Sequence, residues 1–158
     1  MADYLSHSGK IMLALKNLVK DQQPIDLATE EVEVREDWLS ATGDPFRGAS
    51  IVYQGEQYSE GTIGTQDVGY VYGVVFAKLR SGDAVLPDDK LMDWYEKTRR
   101  RLMDQRALTD PLIDASAPAE HVCIIMPGRT LTNVAKWPNY LIRMLVVAVW
   151  VRELPVTL

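Results

Sequence analysis

Three features of the 158-residue sequence predict an α+β fold, with a mainly antiparallel sheet covered on one face by two helices in the order α-β-β-β-α-β-β. Residues 140–154 form an unbroken run rich in β-branched and aromatic side chains, without Gly or Pro, and read as one long strand. Residues 68–80 form a second such run. Segments 4–20 and 87–105 instead carry apolar residues at helical spacing. Strands that follow one another along the chain tend to pair as neighbours, which favours antiparallel order.

The elements follow in sequence. In residues 4–20, Ile11, Leu15 and Leu18 share one face, with Met12 and Val19 beside it. Ser6 or Ser8 offers a cap, and Pro24 closes the segment. Residues 31–35 alternate strictly, so Val32 and Val34 point inward while Glu31, Glu33 and Arg35 meet water. Residues 37–48 are a connection containing Gly43, Asp44 and Pro45, and residues 49–54 are a second strand. Residues 54–67 hold Gly55, Gly61 and Gly64 among polar side chains and read as a long polar loop, a type that often carries function.

In the strand at 68–80, Tyr70, Tyr72, Val74 and Phe76 line one face and Val71, Val75, Ala77 and Leu79 the other. Two apolar faces mark a central strand, and Gly69 and Gly73 permit bending or close approach of a neighbouring backbone. Pro87 suits a first helical position, with Asp88, Asp89 and Asp93 near the positive end. Leu91, Trp94 or Tyr95, Thr98 and Leu102 face inward; Arg99, Arg100, Arg101 and Arg106 gather toward the C-terminal end. Residues 110–120 are a linker, 121–126 a short strand and 127–139 a loop, so the last two strands form a hairpin. One core is expected to contain Ile11, Leu15, Leu18, Val74, Phe76, Leu91, Trp94, Leu102, Val147 and Val149.

Length suits a single domain over residues 1–158, since a chain of this size buries about two thirds of its unfolded surface. A net charge of −5 argues against a free-standing nucleic-acid binder. The one cysteine, Cys123, excludes an internal disulfide framework and fits a cytosolic origin. Met1-Ala-Asp-Tyr lacks the basic start of a signal peptide. The apolar run at 144–151 falls well short of the ~20 residues of a membrane helix.

Chemistry is sparse. His121 and Cys123 share a strand face and form a conceivable nucleophilic pair of a small hydrolase; the plainer account is a sheet face in which Cys123 acts as a small hydrophobe. No HExxH, CxxC or phosphate-loop spacing occurs, so no metal and no cofactor is expected. Glu30, Glu31, Glu33, Glu36 and Asp37 read as solvated carboxylates protecting a strand edge rather than as general acids. Arg99, Arg100 and Arg101 point about 100° apart on a helix and do not make one stripe; Asp93 and Glu96 lie within reach of Lys97, Arg99 and Arg100. Repeated around a ring, the same residues would form a basic belt.

An N-terminal helix, an alternating strand and a glycine-bearing polar segment precede Asp67-Val-Gly-Tyr70, which opens the strand through Ala77. A Trp-bearing helix at 91–101 and a terminal strand follow. This order, over roughly residues 4–154, resembles the tail terminator and tail completion proteins of long-tailed bacteriophages. The resemblance implies a non-enzymatic virion protein, assembled in the host cytoplasm as a hexameric ring in the tail or neck. It would cap the tail tube on one side and meet a neck or connector protein on the other. DNA would at most pass through its lumen, and no membrane would be involved. Another head–tail connector, a head-closure protein or a tube-like protein is the alternative. Subunit contacts are expected from Gln54, Glu56, Tyr58, Glu60, Thr62 and Gln66, from Arg129, Asn133, Lys136 and Trp137, and from Arg152. The last strand, longer than the body needs, is expected to be shared between fold and assembly.

Overall fold

The computed structural model describes residues 7–24, 33–35, 47–60, 66–79, 86–103, 122–126 and 140–153. These form α1 (His7–Asp21), β1 (Glu33–Arg35), β2 (Gly48–Glu60), β3 (Gln66–Leu79), α2 (Asp88–Met103), β4 (Val122–Met126) and β5 (Tyr140–Glu153). The strands make one sheet in the order β1-β2-β3-β5-β4. Every neighbouring pair is antiparallel except β1 and β2, which run parallel. The fold is α+β, in the element order expected.

β3 is central because both of its faces are apolar. Tyr70, Tyr72, Val74 and Phe76 enter the main core with Leu145, Val147, Val149 and Val151 of β5. Ile11, Leu15 and Leu18 of α1 and Leu91, Trp94 and Leu102 of α2 pack on this same face. α1 lies over β1 and β2, and α2 lies over β3, β5 and β4. On the opposite face Val75 and Ala77 pack with Tyr140, Ile142 and Met144, while Val71, Val146 and Ala148 pack with Met144 and Trp150. All ten residues expected in the core are buried there.

Two polar tips settle where α1 sits. The Tyr72 hydroxyl donates to the Ser8 carbonyl at 2.7 Å, and Trp94 Nε1 donates to the Val19 carbonyl at 2.8 Å. The first bond joins the start of α1 to β3, and the second joins its end to α2. Trp94 also meets Phe76 edge to face, centroids 5.2 Å apart, an arrangement that suits the ring quadrupoles. A buried lysine needs a counter-charge; Lys78, 3 % exposed, pairs with Asp88 at the first residue of α2. That pair ties the end of β3 to the next helix.

The β3–β5 pairing is unbroken from Gln66↔Glu153 to Leu79↔Tyr140. Gly69 lies opposite Trp150. A Cβ there would stand 2.8 Å from Trp150 Cε2, so the indole occupies the space that any larger residue would need. The neighbour that approaches this glycine is a side chain, where the sequence reading expected a bend or a second backbone.

Two expectations are corrected. Residues 54–67 are not a long loop, since β2 continues to Glu60 and β3 begins at Gln66. Pairing to an apolar central strand holds a polar segment extended, although its own side chains lack the usual strand signature. The antiparallel order expected of consecutive strands does not hold for the first two: β1 pairs in parallel with β2. In the last strand Leu145 through Val149 and Val151 are buried, and Met144 and Trp150 are half-buried.

Candidate assembly interface

The exposed outer half of β2 carries the most distinctive surface chemistry in the described residues. β1 covers the outer edge of β2 only at Gly48, Ala49 and Ser50. Beyond Ser50, no described strand pairs with that edge, leaving residues 51–60 bonded to β3 on one side alone. The register slips between Tyr53 and Gly55: Tyr53 pairs with Tyr72 and Gly55 with Val71, so Gln54 is the extra residue of a bulge. Gly55 has φ +119°, in the region that favours glycine, and open space surrounds the position of a Cβ.

The bulge decides which side chains share a face. On a regular strand, residues three apart point to opposite sides. Here Tyr53, Glu56 and Tyr58 all lie on the side of the two helices, opposite Tyr72, Tyr70 and Val68. Tyr53 is 41 % exposed and Tyr58 62 % exposed, while Tyr72 beneath them is fully buried. The Tyr53 hydroxyl donates to Glu56 Oε1 at 2.8 Å, and the Tyr58 hydroxyl donates to Glu56 Oε2. These bonds, that from Tyr58 first, hold the Glu56 carboxyl below its usual pKa. Partial burial, then the bond to Glu56, pushes the Tyr53 phenol up to about 12. Burial raises Tyr72 further. The cluster is therefore a carboxylate clasped between two phenols, anionic across the ordinary pH range.

Of the residues expected at subunit contacts, Gln54, Glu56, Tyr58 and Gln66 are exposed on this hairpin, and Glu60 pairs with Gln66 near its tip. Arg152 pairs across the sheet with Asp67. Thr62, Arg129, Asn133, Lys136 and Trp137 lie outside the described residues. Tyr53 was missed because it ends an apolar strand and reads as core; its partnership with Glu56 at a spacing of three depends on the bulge.

The other candidate chemistry is dispersed. Cys123 lies in register with Val149 of β5, and His121 lies outside the described residues. Among the described residues no three His, Cys, Asp or Glu side chains are grouped to hold a metal, and no helix is long and apolar enough to cross a membrane. On α2, Lys97 pairs with Asp93 at 2.9 Å; Arg99 is half-buried, and Arg100 and Arg101 are exposed.

The backbone as a whole has a known counterpart. The fold is similar to that of a sheath/tube terminator. One similar structure is the PVC sheath/tube terminator of an extracellular contractile injection system in its extended state, with a TM-score of 0.52 and 14 % sequence identity. The match covers 99 % of this chain but 62 % of the terminator, so this chain spans under two thirds of its length. No family model and no curated protein matches the sequence.

Proposed function

We propose that this chain is a terminator of a tail-like tube: a structural protein that assembles as a hexameric ring, caps the tube and joins it to a neck. The observation that carries this reading is the shared fold, which extends over nearly the whole chain. The long sheet and the exposed polar hairpin fit a role executed by surface complementarity, without covalent chemistry or a cofactor. In a bacteriophage setting the partners would be the tube protein below and a connector above, with DNA passing through the lumen and assembly in the host cytoplasm.

Negative-stain images of the purified protein, alone and mixed with its cognate tube protein, test this directly. Rings alone, and a ring seated at one end of each tube with growth arrested there, are expected. A stable monomer that leaves tube growth and tube ends unchanged overturns the reading.

A further inference from the structure

The clasped carboxylate and the helix that carries the arginines occupy different parts of the sheet. β2 is on the β1 side, whereas α2 lies over β3, β5 and β4. One site presents an anion between two aromatic rings. The other presents Arg100 and Arg101 to solvent, with Arg99 beside them. Guanidinium groups suit both parts of the first site, since they bond carboxylates and stack on aromatic faces. Complementary patches on different sides of one molecule make a heterologous contact, which repeats from copy to copy and closes into a ring when the rotation permits.

We propose that the Tyr53–Glu56–Tyr58 cluster of one copy receives the Arg99–Arg101 end of α2 from the next. This rests on the ring reading above and identifies the contact that would hold the ring laterally. The pairing of β2 with β3 keeps the acceptor extended before contact, so little ordering remains for association. The Tyr53 hydroxyl stays protonated and Glu56 stays ionised near neutral pH, so the acceptor retains its charge.

The test uses two charge-reversed full-length chains, Glu56→Arg and the double variant Arg100→Glu/Arg101→Glu. Their assembly is followed by sedimentation velocity over a concentration series, with circular dichroism to verify folding. Each variant alone puts like charges at every contact, and its half-assembly concentration should rise at least about tenfold. Mixed one to one, each variant's patch meets the other's opposite charge, so alternating rings should return near wild-type concentration. Assembly of either variant alone at the wild-type concentration overturns the contact, and so does a mixture that fails to recover assembly. A wild-type chain that stays monomeric throughout overturns both the contact and the ring. Normal wild-type rings with unaffected variants overturn only the contact.

Discussion

The two halves of β2 differ sharply in burial. Its inner half, Ala49 through Val52, is buried, with Ala49 and Ile51 in the core beneath the helices. Its outer half exposes Tyr53, Gln54, Glu56, Tyr58 and Ser59. Yet both halves pair with the same strand, and β3 is buried from Val68 through Lys78. Burial in this sheet therefore follows what lies above and beside a residue, and strand membership alone does not set it. The inner half contributes to the core, and the outer half is open to solvent.

The comparison breaks most visibly at the inner end. Trp94→Ala removes a fully buried indole, its edge contact with Phe76 and its bond to Val19. Equilibrium urea unfolding should show a loss of about 3–5 kcal/mol. Leu91→Ala and Leu102→Ala should each cost about 2–5 kcal/mol. A loss below 1 kcal/mol at all three sites would show that the helices contribute little to the stability of this sheet.

Gly69→Ala probes the middle of the sheet, where the new methyl would run into Trp150. A destabilisation of about 1–3 kcal/mol is expected, relieved in part when Trp150 is shortened to Val in the same chain. Additivity of the two changes would show that the contact with Trp150 is not the cause. At the bulge, Gly55→Ala has open space but an unfavourable φ, so about 1 kcal/mol of strain is expected without a packing defect.

The smallest stability effects belong to the outer half. Glu56→Gln should leave the urea-unfolding midpoint at the wild-type value while altering assembly. Its titration supplies a finer measurement. The Glu56 carboxyl is depressed, so its interactions with Tyr58 and Tyr53 are complete above the ordinary carboxylate range and fade as pH falls through the lowered value. Tyr53 is raised, so its contribution is complete below the ordinary phenol pKa of about 10 and is lost as pH rises through about 12. NMR titration of Glu56 in a Tyr58→Phe chain should move the carboxyl back upward; an unchanged titration would remove the clasp from the account.

Side-chain spacing made the inner region legible before any coordinates. Ile11, Leu15 and Leu18 repeat at helical intervals, and Val74 with Phe76 alternates against Val75 with Ala77. Those patterns are local, and burial follows from them. Beyond Gln54 the sequence of β2 reads as a loop because Gly55 and its polar neighbours lack strand propensity; its extension depends on β3, a partner across the sheet. Glu56, Tyr58 and Glu60 do recur with period two, which was the available signal. The parallel pairing of β1 with β2 had no such trace in either segment. The clasp was half legible: Glu56 and Tyr58 were expected at contacts, but Tyr53 joins them only because one residue is left out of register.

That extra residue makes the chain unequally tolerant of lost codons. Deleting Gln54 would close the bulge while leaving Gly55 opposite Val71 and Glu56 opposite Tyr70, so every side chain beyond it would keep its face. Deleting Gln57 would instead draw Tyr58 to the opposite face if the pairing before it held. Natural length variation in this hairpin should therefore collect at position 54, with the positions just beyond it constant in spacing even where their side chains change.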